Sequence, residues 1–124
     1  MRKAVHTARA SAGNGPYSQG IATGNLLFVS GQGPLDADGR IVEGGIEEQT
    51  RLTMDNVKAI VEAAGYSMDD VVKVGVFLEN LADFERFNAV YVTYFQAPLP
   101  ARTCVQAVLD GIKVEIDAIV CRTD

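Results

Sequence analysis

The chain has 124 residues, 48% hydrophobic and 22% charged, which fits one globular domain, 1–124, whose core needs no disulfide or metal staple. A formal net charge of −5 gives no general attraction for phosphate backbones or anionic membranes, so no nucleic-acid partner is expected. No apolar run nears the ~20 residues that cross a bilayer, and Met1-Arg-Lys-Ala-Val-His-Thr lacks the apolar segment of a secretory signal; the expectation is a cytoplasmic protein without membrane contact. Cys104 and Cys121 have no metal-ligand spacing and are expected as reduced thiols, while His6 is the sole histidine and reads as a strand surface residue. Chemistry without histidine or metal is the expectation.

Lys3 to Thr7 fits a short first strand. Gly13-Asn-Gly-Pro-Tyr-Ser-Gln19 follows, a turn-rich loop in which Tyr17 is the one bulky amphipathic residue. Gln19 to Thr23 and Leu26 to Ser30 read as two strands around Gly24-Asn25. Leu26-Leu-Phe-Val29 is continuously apolar, which predicts a central strand covered on both faces. It stops at Ser30-Gly-Gln-Gly-Pro34, where glycine either relaxes a turn or lets another group approach the backbone. Asp36-Ala-Asp-Gly39 has only a fragment of a calcium loop and reads as a turn.

From Ile46 to Ala64 the apolar period becomes helical, with Ile46, Thr50, Met54, Val57, Val61 and Ala64 in one stripe and Gly65 as the C-terminal stop. Val71 to Glu79 is β-branched and reads as a buried strand. Asn80 caps a second predicted helix reaching about Phe95, with Leu81, Phe84, Asn88, Tyr91 and Phe95 on one face. Asn88 inside that stripe needs hydrogen-bonding partners, since an unsatisfied buried amide costs ~1–3 kcal/mol. It either ties down a neighbouring loop or orients something in a cleft.

Two alternating runs then flank Asp110-Gly111, a dipeptide suited to a two-residue hairpin turn. In that register Gln106 lies opposite Glu115 and Cys104 opposite Asp117. Arg102, Cys104, Gln106, Glu115 and Asp117 then share one polar face, with Arg102 and Glu115 about 13 Å apart at the backbone. Such a face is either the wet side of a strand pair or part of a site. The element order predicts an α+β fold, a mixed six-stranded sheet with two helices on one face. The other face needs solvent or a partner subunit, and its apolar residues favour oligomerisation.

With Gly15-Pro-Tyr-Ser-Gln19, Val29-Ser-Gly-Gln32, Asp55-Asn-Val-Lys-Ala-Ile60, Phe87-Asn-Ala89, Pro100-Ala-Arg-Thr-Cys104 and Val114-Glu-Ile-Asp117 in this order, the chain resembles the RidA (YjgF/YER057c/UK114) family of enamine/imine deaminases over essentially its whole length. The resemblance implies a chorismate-mutase-like fold assembled as a homotrimer with sites in clefts between subunits. It also implies cofactor-free hydrolysis of 2-aminoacrylate, 2-iminopropanoate and 2-iminobutanoate to 2-oxo acids and ammonia. By matching position, Arg102 would bind the substrate carboxylate and Glu115 would serve the hydrolytic water. Tyr17, Ser30, Gly31, Asn88 and Cys104 would line the pocket.

Residue chemistry agrees with those roles: a guanidinium is a planar, permanently charged fork matched to a carboxylate. A positioned carboxylate that handles water contributes ~10²–10⁴-fold. No neighbouring base is evident for Cys104, so wall packing is the better reading than covalent catalysis. Connections shorter than the family's usual ones, at Val108-Leu-Asp-Gly111 and Tyr94-Phe-Gln-Ala-Pro98, border the inferred site. They keep open a deaminase for a larger enamine such as 2-aminomuconate; a separate alternative is a non-catalytic trimer that uses Arg102 to bind 2-oxo acids.

Overall fold

The computed structural model describes residues 1–122. Six strands, β1 (Lys3–Val5), β2 (Gly20–Thr23), β3 (Leu26–Gln32), β4 (Val71–Leu78), β5 (Ala101–Gln106) and β6 (Val114–Cys121), form one sheet in the order β1-β2-β3-β6-β4-β5. All neighbours are antiparallel except β4 and β5, which run parallel. Helix α1 (Ile46–Ala63) lies across β3 and β6, and α2 (Phe84–Tyr91) packs against α1 on the same side. The expected α+β fold, with two helices on one face of a mixed sheet, is what the chain forms.

Helix α1 forms where the apolar period predicted it. Ile46, Met54, Val57, Ile60 and Val61 are buried against Leu27, Val76, Leu78 and Ile116 of the sheet. Each such side chain contributes about 1.5–3 kcal/mol on burial. The Gly65 amide donates to the Glu62 carbonyl and the Tyr66 amide to that of Val61, closing the helix end. The second helical segment is less regular than its pattern: a 3-10 turn over Leu81–Asp83 precedes α2 and another over Val92–Tyr94 follows it. Asn80 does cap, its side chain accepting from the Ala82 amide at 2.9 Å. Phe87, Val90 and Tyr91 are buried, whereas Leu81 and Phe84 at the near end are exposed.

The predicted hairpin does not form. β5 pairs with β4, and β6 is inserted antiparallel between β3 and β4, so no bond joins the two runs flanking Asp110-Gly111. Burial explains the choice. Val114, Ile116, Ala118 and Val120 are all buried, and a strand with so complete an apolar row is stable only with neighbours on both sides. β5 is exposed or half-buried throughout and suits an edge. β4 is wedged between the arms: Ala107 donates to Leu78, and Glu79 donates to Lys113.

β3 differs from expectation too. It runs on through Ser30 and Gly31 to Gln32, with a register shift between Val29 and Gln32. Leu27 and Val29 are buried, but Phe28 is 42% exposed on the other face. No element among the described residues covers that face. Phe28 pairs there with Ile21 and Ile119, and Phe77 with Val105, giving apolar neighbours across the open side.

Candidate functional site

Two clusters hold the residues with chemical potential, and they lie on opposite faces of the sheet. On the helix side, Arg102 of β5 is level with buried Val74 of β4, so its side chain rises toward α2. Its Nη1 donates to Oδ1 of Asn88 at 2.8 Å. The guanidinium carbon lies 4.9 Å from the ring centroid of Tyr91, 5.5 Å from Phe84 and 5.7 Å from Phe87. Such cation–π contacts contribute roughly 0.5–2 kcal/mol each, depending on desolvation. Asn88 therefore has the partner its position demanded: it orients a cation.

Beside this cation is a cavity of about 280 Å³ lined by Asn88, Tyr91, Val92, Leu99, Pro100 and Arg102. Among the described residues no carboxylate neutralises Arg102. A guanidinium gripped by one amide and flanked by rings, open on one side, has the chemistry to hold a small carboxylate. Cys104 stands two residues along the same strand and packs in part against the core. Burial pushes its thiol pKa up, against a smaller lowering by Arg102, so the sulfur stays protonated at neutral pH.

On the open side, Glu115 of β6 is level with Phe77 of β4. It lies directly over Gly31, where an added β-carbon would sit 2.5 Å from Oε2 of the carboxylate. Only glycine lets the acid lie this close to β3. Burial, and then the nearby charge of Asp117, raise the Glu115 pKa above its ordinary value of 4.5. A cavity of about 440 Å³ opens beside it, bordered by Tyr17, Gly31 and Glu115.

Tyr17 is 47% exposed, its ring lying on Gly13, whose φ of +85° belongs to the left-handed region, and its hydroxyl is 3.4 Å from the Asn14 amide. Ser30 plays a different part. Its hydroxyl donates to the Ser18 carbonyl at 2.6 Å and its amide to the Gln19 carbonyl. Both bonds tie the Tyr17 segment to β3 rather than point into the cavity.

The expectation that Arg102 and Glu115 share a face is thus wrong for a single chain. Arg102 is level with Val74 and, through it, Ala118, whereas Glu115 is level with Phe77. The true relation between the strands differs by one residue from the predicted register, and one residue turns every side chain over. Tyr17, Gly31 and Glu115 form one half; Asn88, Arg102 and Cys104 form the other.

Sequence reasoning missed the rings of Phe84, Phe87 and Tyr91 as a cradle for Arg102. Their spacing around Asn88 was the available signal. It also missed the loop ties: Asn56 donates to the Gly33 and Leu35 carbonyls, and Gln49 donates to Val42 while accepting from the Lys113 amide. These buried amides of α1 hold the walls of the Glu115 cavity. Among the described residues no group of three or more His, Cys, Asp or Glu is placed to hold a metal ion, and no helix is long and apolar enough to cross a membrane.

Residues 7–122 match the family described as Endoribonuclease L-PSP. The chain is 46% identical to a RutC family protein of Pyrococcus horikoshii, over 96% of this chain and 97% of that protein. It is 42% identical to the 2-iminobutanoate/2-iminopropanoate deaminase of Escherichia coli, over 98% and 99%. The crystal structure of E. coli TdcF with bound serine superposes with a TM-score of 0.92 at 42% identity, covering 98% of this chain and 99% of that one.

Proposed function

The chain belongs to the Endoribonuclease L-PSP family, the RidA (YjgF/YER057c/UK114) family, and from that premise we propose that it hydrolyses 2-imino acids and their enamine tautomers to 2-oxo acids and ammonia. The observation that carries this reading is the Arg102 guanidinium, held by Asn88 and three rings beside an open cavity. It is a built receptor for the carboxylate that every 2-imino acid carries. The preferred imines are 2-iminopropanoate and 2-iminobutanoate, the substrates in the name of the E. coli relative.

The working unit is a homotrimer in which Asn88, Arg102 and Cys104 of one subunit meet Tyr17, Gly31 and Glu115 of the next. The uncovered sheet face supports assembly, with Phe28 and Val105 each 42% exposed on it. So does the separation of the two halves across one sheet. Soluble chains close such surfaces in symmetric oligomers.

In the assembled site Arg102 fixes the carboxylate and places the imine carbon over Glu115. That carboxylate takes a proton from water as the water oxygen bonds to C2 and passes it to the imine nitrogen, giving a neutral carbinolamine. As the C–N bond breaks, Glu115 takes the hydroxyl proton and hands it to the departing nitrogen, so that ammonia leaves, the 2-oxo acid remains and the carboxylate is restored. A carboxylate whose pKa lies above the ordinary range exchanges protons in both directions more readily near neutrality than an unperturbed one. The Tyr17 ring borders the reacting carbon and limits water to the attacking molecule.

The test generates 2-iminopropanoate and 2-iminobutanoate in situ with an amino-acid oxidase and follows semicarbazone formation. Added protein is expected to suppress the semicarbazone by removing the imine first. Unchanged semicarbazone formation with pure, folded protein would reject the reaction.

A further inference from the structure

Asn14 differs from every other asparagine of the chain in two ways at once. It is the one followed by glycine, in Gly13-Asn-Gly-Pro-Tyr17. It is also the one whose side chain makes no hydrogen bond among the described residues. The Asn25 side chain donates to the Arg122 carbonyl and that of Asn56 to the Gly33 and Leu35 carbonyls. Asn80 accepts from the Ala82 amide, and Asn88 holds Arg102. An amide tied by such bonds cannot swing onto its own main chain, whereas that of Asn14 is free to do so.

The nucleophile for such a closure is the Gly15 amide. Residues 12–17 are exposed, and among the described residues this amide donates to no protein group. The comparable dipeptides Asp38-Gly39 and Asp110-Gly111 differ. There the Gly39 amide donates to the Asp36 carbonyl at 2.9 Å and the Gly111 amide to the Leu109 carbonyl at 3.2 Å. Asparagine is a labile residue, and glycine after it brings no β-carbon to obstruct ring closure. The Gly15 nitrogen bonds to Cγ of Asn14 as the Cγ–Nδ2 bond breaks, and the Gly15 amide proton leaves with ammonia. Water then opens the cyclic imide at either carbonyl. The product is aspartate or, with the main chain running through Cγ, isoaspartate. Water is consumed and ammonia released, with no oxidant and no helper enzyme.

The position of Asn14 gives this chemistry a consequence. Its residue borders the cavity beside Glu115, whose lining holds Asp110 and Glu115 but no lysine or arginine. A further carboxylate there adds to a field that already opposes anions. The Tyr17 ring lies over Gly13 and Gly15, on either side of Asn14, and a β-carbon at Gly15 would sit 3.0 Å from its Cε2. Isoaspartate lengthens the main chain between those two glycines and so displaces the ring.

We propose that Asn14 is a self-modification site: it converts to aspartate and isoaspartate in the folded protein, and the new carboxylate at the cavity mouth repels the anionic substrate, so that the enzyme runs down with age. The inhibition rests on the imine-hydrolase reading above; the modification does not.

The experiment ages purified protein at neutral and at mildly alkaline pH, maps its peptides by mass spectrometry and titrates isoaspartate with protein isoaspartyl methyltransferase. Asn14 is expected to convert first among the five asparagines, faster at the higher pH, with kcat/KM falling in step. Asn14→Gln is expected to match fresh wild type and to keep its activity on ageing. Asn14→Asp should raise KM for 2-iminopropanoate about 3- to 5-fold at low salt with kcat within about two-fold, and high salt should erase the excess because screening removes a charge effect. Isoaspartate in the aged wild type should lower kcat as well, through the displaced ring. An Asn14 still intact after other asparagines have converted would overturn the site. So would a decline of Asn14→Gln as fast as that of wild type, or low-salt kinetics of Asn14→Asp equal to those of wild type. Should fresh wild type hydrolyse no imine, the reaction and the inhibition fall together, while the peptide map still decides the modification.

Discussion

Arg102 is fixed by an amide and three rings on the helix-covered side of an edge strand, whereas Glu115 stands on the open side over a glycine, with a cavity beside it. In the first region the cation is already oriented within one chain and adjoins an open cavity. The second is an acid held at a cost, half-buried without a cationic partner among the described residues, so that its proton is retained to higher pH. The contrast marks where the proposed homotrimer would act: bringing a second subunit's guanidinium toward Glu115 would join the two clusters into one site.

Removing the receptor should have the largest effect. Arg102→Ala is expected to lower kcat/KM by at least about a thousand-fold, since losing one member of a desolvated charge pair costs ~2–5 kcal/mol and misplacement of the reacting carbon adds to it. Arg102→Lys should recover little, because a point charge cannot present a fork to both carboxylate oxygens. Steady-state kinetics on a variant that elutes like wild type decides this. Near-wild-type turnover would remove Arg102 from the carboxylate role.

Glu115→Gln breaks the other region and should reveal its different character. Catalysis is expected to fall by ~10² or more, while binding of a 2-oxo acid persists. Stability should move the opposite way. Because the folded-state pKa is raised, the contribution of Glu115 to stability is present at low pH and lost as pH rises through that value. The neutral amide escapes this loss, so the variant should melt higher than wild type at neutral pH and converge with it in acid. In wild type, kcat/KM should fall as pH drops through an apparent pKa above 4.5, the carboxylate form being the base. A variant less stable at neutral pH would show that Glu115 is already compensated there.

The subunit arrangement can be tested by mixing. Arg102→Ala and Glu115→Gln chains, each nearly inactive, are unfolded together and refolded in equal amounts. If each site takes Arg102 from one subunit and Glu115 from the next, random assembly restores about a quarter of the sites. Sites confined to one subunit would restore none, and that outcome would break the proposed division.

How far the sequence could be read follows the same divide. Local features were legible: the α1 stripe, the Asn80 cap, the Gly65 stop, and Asn88 as an amide in need of a partner. The pairing of β5 and β6 was not, because alternation reveals which residues share a face within a strand but not which strands are neighbours. A dipeptide suited to a hairpin supplied a local answer where a non-local one prevailed. β6 gains more by burying Ile116 and Val120 between β3 and β4 than by pairing with the exposed β5. The error put Arg102 and Glu115 on one face, and only the correct neighbour order exposes their separation.

Cys104 gives the smallest expected effect and the sharpest test of the Arg102 half. It lies beside the guanidinium, where a thiolate would be favoured by charge, yet burial outweighs that attraction and holds the proton on. A nucleophile would have to lose that proton to a base, and among the described residues the Cys104 thiol makes no hydrogen bond to any base; it packs against the hydrophobic core beside Arg102. Cys104→Ser keeps a small side chain with a donor at the same position, so kcat/KM should stay within about three-fold of wild type, a change of roughly 0.6 kcal/mol. Alkylation of Cys104 by a bulky reagent should inhibit far more strongly than the serine substitution, because it fills the space beside Arg102 rather than removing a reactive group. If the folded serine variant lost activity as completely as Arg102→Ala, sulfur chemistry would have to replace water as the first attack on the imine carbon.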